Sequence, residues 1–175
     1  MKKIISSLLF ALLTFSVSTV SAQFEKGDKL LNAGIGGGGF GWLTGFAVGA
    51  SMEVGVTDFI GVGAQADFRF YNNWAGRNKV ALPIAARGAY HFGKHFVKVD
   101  NLDLYGGVAL GFTIGGKYYD DDYVLPYLGK YDNSAFVGGV FAGGRYYFAD
   151  NIGAFAELSA GSNVLPIKAG ITFKF

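Results

Sequence analysis

Residues 46–70 read FAVGASMEVGVTDFIGVGAQADFRF. Phe46, Val48, Ala50, Met52, Val54 and Val56 share one face, and Ala47, Gly49, Ser51, Glu53 and Gly55 share the other. Thr57-Asp58 interrupts this alternation as a tight turn. From Ile60 the pattern resumes: Ile60, Val62, Ala64, Ala66, Phe68 and Phe70 are opposed by Gly61, Gly63, Gln65, Asp67 and Arg69. Successive side chains of a strand point to opposite faces. The stretch therefore reads as two antiparallel strands with one apolar face and one face of small and polar residues.

The same period continues on both sides. Leu82, Ile84, Ala86, Gly88, Tyr90 and Phe92 oppose Pro83, Ala85, Arg87, Ala89 and His91. Further strands run over Leu104–Ile114, Val140–Phe148 and Ile152–Ala160, with a weaker first strand at Leu31–Ile35 and a last one at Ile167–Phe175. This makes eight strands, and about 9–11 tilted residues suffice to cross a bilayer. The connections alternate. Thr57-Asp58, the stretch from Gly93 to Leu102, and Ala149–Asn151 lie at one end; Gly38–Gly45, Asn72–Lys79, Lys117–Ser134 and Gly161–Val164 lie at the other. Mostly short turns on one side and mostly longer loops on the other is the layout of an outer-membrane barrel. An even strand number puts both termini on the short-turn side, expected to be periplasmic. Pro83 and Pro166 are expected at strand starts, where a missing donor does least harm.

Composition agrees. The 175 residues are 51% hydrophobic and 16% charged, which excludes a disordered or nucleic-acid-coating chain. There are 28 glycines, 3 prolines and 17% aromatics, a mixture suited to closely packed strands. With no cysteine, disulfide scaffolds, thiolate metal sites and thiol catalysis drop out. At the N-terminus, Lys2 and Lys3 precede an apolar run from Ile4 to about Phe15, then a polar stretch ending Val20-Ser21-Ala22. This is the pattern of a secretory signal peptide, residues 1–22, leaving 23–175 as one barrel domain. Removing Lys2 and Lys3 balances the charges, so nothing electrostatic favours nucleic acid.

Alternation alone does not distinguish a membrane barrel from a soluble periplasmic ligand-binding barrel. The polar face is too poor in charge for a water-exposed surface, and small residues suit a narrow eight-stranded interior. The apolar face carries aromatics at both ends. Phe46, Phe68, Phe70, Phe112 and Phe136 would form the loop-side girdle; Tyr90, Phe92, Tyr146, Phe148, Phe173 and Phe175 would form the turn-side girdle. The reading is a closed eight-stranded antiparallel up-and-down transmembrane β-barrel. Its inward-facing charges are Glu53, Asp67, Arg69, Arg87, Arg145 and Glu157, three acids against three bases. Unpaired, each would cost several kcal/mol, so they are expected to pair as a structural plug rather than line a gated polar path. Arg145 is expected to pair with Glu157 or Glu53.

The last eight residues resemble the C-terminal assembly signal of bacterial outer-membrane barrels, with Lys168, Gly170, Phe173 and Phe175 in the signature places. The mature chain as a whole resembles the small outer-membrane β-barrel family, similar to OmpA/OmpX-type, porin-like barrels. The resemblance implies periplasmic chaperones and the barrel-assembly machinery as partners, with outer-membrane lipid and lipopolysaccharide as surroundings. It implies no common activity.

Other motifs carry little. Gly34–Gly39 satisfies the spacing of a dinucleotide fingerprint, but no helix pattern follows to hold a pyrophosphate. His91 and His95 are spaced like a metal pair with nothing to complete the set. Asp120–Asp122 lacks the regular spacing of a calcium loop. Both histidines map to the turn side, away from the outer leaflet where a lipid-modifying enzyme would need its base. The expectation is an integral outer-membrane barrel, not an enzyme, without cofactor or metal. Its role is structural or surface-interaction, with any extracellular ligand engaging the loops; the alternative is a small porin passing ions or small solutes. Cleavage after Ala22 is the first prediction: mass spectrometry of the protein from membranes should give an N-terminus at Gln23, and retention of Met1 or Lys2 would refute it.

Overall fold

The computed structural model describes residues 24–37, 45–72, 78–97, 99–115 and 136–175. The signal segment, residues 120–122 and residues 38 and 39 lie outside the described residues. Eight strands follow in chain order: β1 (Lys29–Gly37), β2 (Gly45–Gly55), β3 (Ile60–Asn72), β4 (Asn78–His91), β5 (Leu102–Gly115), β6 (Phe136–Ala149), β7 (Ile152–Ser162) and β8 (Ile167–Lys174). Each is hydrogen-bonded to the next, and β8 returns to β1, so the sheet is a closed, all-antiparallel, up-and-down barrel. At the seam, Lys29 and Phe175 exchange backbone hydrogen bonds in both directions, at 3.2 and 2.9 Å.

The alternation of the sequence is the alternation of the wall. In β3, Gly61, Gln65, Asp67 and Arg69 are buried while Ile60, Val62, Phe68 and Phe70 are exposed. The exposed set continues round the barrel through Phe46, Val108, Leu110, Phe112, Ile114, Phe136, Val140 and Leu158. An apolar belt of this extent is disfavoured in water and matches the hydrocarbon band of a transmembrane barrel. The aromatic ends also hold: Phe46 lies opposite Phe70, and Phe112 opposite Phe136, at the loop-side rim.

The abundance of glycine has a packing reason. Among the described strand residues, four inward aromatics each stand opposite a glycine on a neighbouring strand: Tyr105 opposite Gly143, Phe141 opposite Gly107, Tyr147 opposite Gly153 and Phe155 opposite Gly170. A Cβ on Gly143 would lie 2.8 Å from the Tyr105 hydroxyl oxygen. Large side chains fill so narrow a lumen only where the adjacent strand brings none.

Two local features differ from the sequence reading. Pro83 lies well inside β4, not at its start. The β3–β4 register runs to Ala66–Ile84 and resumes at Arg69–Ala81, so Asp67 and Phe68 sit at a break in the ladder opposite Leu82 and Pro83. Proline has no N–H to give, and the break is its consequence. Pro166, by contrast, directly precedes β8. The connection beginning at Gly93 contains a single helical turn, α1 (Gly93–Phe96), and β6 starts at Phe136.

A closed barrel has no edge from which to unzip. The purified protein should therefore keep its fold in mild SDS and change electrophoretic mobility on boiling. Identical migration before and after boiling would contradict closure.

Candidate functional site: the ion-paired lumen

The inward charges form two groups stacked along the barrel axis. The turn-side group centres on Arg145 in β6, which is fully buried. Its Nη1 donates to Asp103 Oδ2 at 2.8 Å, its Nη2 to Glu53 Oε2 at 2.9 Å and its Nε to Asn32 Oδ1 at 3.2 Å. The two carboxylates are also joined by His91, with Nδ1 2.8 Å from Asp103 Oδ1 and Nε2 2.5 Å from Glu53 Oε1. Phe24, just ahead of β1, stacks on the His91 ring at 3.5 Å between centroids and is itself buried. Asn32 continues the network to Ser51 at 3.1 Å.

The loop-side group centres on Glu157 in β7. Arg87 Nη2 donates to Glu157 Oε2 at 2.7 Å, and Lys168 Nζ lies 3.2 Å from Oε1. Arg87 also donates to Gln65 at 3.2 Å. Asp67 is buried with Lys168 Nζ at 3.9 Å, and neither of its carboxyl oxygens has a hydrogen-bond partner. Tyr105 connects the groups. Its hydroxyl donates to Glu157 at 3.2 Å, while the Arg145 guanidinium sits 4.0 Å over its ring. Arg87 makes the matching contact with Phe141 at 3.9 Å. Aromatic faces thus meet the guanidinium surfaces that carboxylates leave uncovered.

Glu53, Asp67, Arg69, Arg87, Arg145 and Glu157 are all buried, and of the two partners expected for Arg145 the structure supplies one. Arg145 bonds Glu53 and not Glu157; Glu157 belongs to Arg87 and Lys168. The expected balance of three acids and three bases becomes four acids and four bases once Asp103 and Lys168 are counted, with His91 between two acids. Asp103 and Lys168 were legible as inward by alternation. The additional partner missing from that pattern was Phe24, which belongs to no strand.

Of the assembly-signal residues, Lys168 points inward, Gly170 faces Phe155, Phe173 is half-buried and Phe175 is exposed. Gly34–Gly37 is strand, with no helix beginning there. His91 and His95 diverge: His91 is in the lumen, while His95 in α1 is exposed and contacts Tyr90 and Phe59. Among the described residues no cluster of three or more His, Asp or Glu is arranged to hold a metal.

No protein-family model matches the chain, and no curated protein matches it. Solved structures do. The N-terminal β-barrel domain of Pseudomonas aeruginosa OprF aligns with a TM-score of 0.57 at 18% identity, over 87% of this chain and 100% of that one. The outer-membrane protein OprG from Pseudomonas aeruginosa aligns with a TM-score of 0.58 at 12% identity, over 88% and 98%. The chain has the fold of the small outer-membrane barrels. At these identities the likeness concerns the backbone of the outer-membrane barrel; its lumen must be read from this chain's own side chains.

Removing Arg145 strands two buried carboxylates. Arg145→Ala should destabilise the barrel by about 3–5 kcal/mol in reversible urea unfolding. Adding Glu53→Gln should recover part of that loss, whereas adding Glu157→Gln should deepen it, because Glu157 serves Arg87 and Lys168. Strict additivity with Glu53→Gln would show that the two are uncoupled.

Proposed function

We propose that the protein resides in the outer membrane as a non-conducting barrel, with both termini periplasmic and its role carried by the surface it presents outside. The observation that carries this reading is the cross-section at Arg145. Its guanidinium, Glu53, Asp103, His91, Asn32, Tyr105 and Tyr147 are all buried across the lumen, and Phe24 covers His91 from the turn side. Eight strands enclose a space that side chains fill, and here they fill it with matched charges. The apolar belt favours a lipid environment over the soluble ligand-binding alternative. Lipopolysaccharide and phospholipid acyl chains are the surroundings that suit its two aromatic rims.

The reading assigns the chain no catalysis. Its one lumenal histidine is held between two carboxylates, and the other stands on the outside of the wall among aromatics. Delivery by periplasmic chaperones and insertion by the barrel-assembly machinery, with Lys168, Gly170, Phe173 and Phe175 as the recognition signal, belongs to the same proposal. What supports it is the C-terminal pattern and the place of β8 as the strand that closes the ring.

Planar-bilayer recording tests the non-conducting reading against the porin. The purified barrel should show little or no steady current at moderate voltage. Stable, reproducible channels would replace the plug with a pore.

A further inference from the structure

The turn-side connections are not alike. Residues 56–59 and 150–151 turn tightly between paired strands, whereas the connection from β4 to β5 is longer and contains α1. α1 lies back against the outside of the wall rather than over the lumen. Tyr90 faces outward from β4, and its hydroxyl lies 3.0 Å from His95 Nε2. The His95 ring stacks on Phe59 at 4.7 Å between centroids. Phe92 also lies on the outer face: its ring passes over Gly106 of β5, where a Cβ would come 3.6 Å from Phe92 Cε1. Main-chain bonds hold the segment in place, from Phe92 N–H to Leu104 O at 3.0 Å and from Val97 N–H to Gly93 O at 2.9 Å.

The rings leave an apolar edge uncovered. Phe96 meets Phe92 and His95 edge-on, at 6.5 and 6.3 Å between centroids. It is nevertheless 81% exposed, more than any other large apolar side chain among the described residues. Val99 beyond it is exposed as well. A ring so placed is disfavoured in water and marks a contact surface. The patch runs on from the apolar belt, because Ile60 and Tyr90 are paired neighbours that both face out and are exposed. It also carries polar atoms, the Tyr90 hydroxyl and the His95 ring nitrogens, within the aromatic surface. Rings with a polar tip are favoured where hydrocarbon meets headgroups.

We propose that α1 is an interfacial foot: it rests in the headgroup layer of the periplasmic leaflet, with Phe96 set among the upper acyl segments of glycerophospholipids. The occupant of the patch is lipid rather than a soluble protein, because the surface is continuous with the belt that faces hydrocarbon. The inference rests on the outer-membrane reading and deepens it. Membrane contact extends past the strand ends beside β3, β4 and β5, which gives the barrel an anchor off its axis and a bias in its tilt.

Tryptophan quenching by lipid reads this contact. The chain has two tryptophans, Trp42 and Trp74, which Trp42→Phe and Trp74→Phe remove. Single reporters are then added as Phe96→Trp in α1, Leu110→Trp on the belt and Asp150→Trp in the exposed β6–β7 turn. Each full barrel, shown to be folded by heat-modifiable migration, is placed in phosphatidylcholine vesicles brominated either high or low on the acyl chains. Leu110→Trp should be quenched most by the low bromines. Phe96→Trp should be blue-shifted and quenched most by the high ones. Asp150→Trp should respond to aqueous acrylamide and to neither lipid. Leu110→Trp quenched with Phe96→Trp no more quenched than Asp150→Trp would overturn the foot alone and leave the patch to a soluble partner. Stronger quenching of Phe96→Trp by the low bromines would overturn its placement at headgroup level. An unquenched Leu110→Trp would overturn the membrane-spanning reading and the foot with it. Should Phe96→Trp fail to fold, a nitroxide on Phe96→Cys in this cysteine-free chain reads the same contact, with oxygen expected to relax it more than a water-soluble nickel complex and the reverse order overturning the foot.

Discussion

A guanidinium cannot be buried alone, and at Arg145 the barrel buries one completely. The cost of stripping water from that cation is met by two carboxylates, an amide oxygen and the face of Tyr105, drawn from β1, β2 and β5. Each carboxylate in turn needs more than one donor, which His91 supplies from β4. Five of the eight strands are thereby tied through a single residue. The bonds cross the lumen, so they resist flattening or ovalisation of the ring, which the wall's own hydrogen bonds oppose only weakly. Buried networks of this kind add rigidity when every member is satisfied and become a liability when one is not. Asp67 is a member left short, with neither oxygen hydrogen-bonded, and it sits where Pro83 interrupts the wall.

The second constraint is volume. Inward aromatics and the long charged side chains share a lumen that eight strands make narrow. The register resolves this by setting glycine beside bulk: Gly143 adjoins both Tyr105 and Glu157, and Gly63 adjoins both Glu53 and Arg87. Gly170 shows how one residue can serve two requirements. It holds a place in the C-terminal pattern and also leaves room for Phe155. Lys168 is similar, being at once part of that pattern and the cation between Glu157 and Asp67.

The outer and inner faces obey opposite rules. Outside, residues need only be apolar and large enough to meet lipid, and exposed Val, Leu, Ile and Phe recur without specific partners. Inside, each residue answers to particular neighbours. The asymmetry explains how backbones of 12–18% identity can share the barrel while the lumen remains particular to this chain.

What the sequence by itself determined is parity. Whether Arg87, Glu157 or Phe141 points inward follows from a period of two, a local property of the chain. So do the number of strands and the apolar belt, and hence the closed barrel. Which acid meets which base was decided only by the tertiary structure. Glu53 and Arg145 are 92 residues apart, and their meeting depends on the stagger accumulated round the closed ring. No window along the chain contains that quantity, and it is why Glu157 looked as good a partner as Glu53. Phe24 and Leu165 mark the same boundary. Outside any strand, they have no parity to read, and their burial came from the ends of a lumen that exists only once the eighth strand has closed on the first.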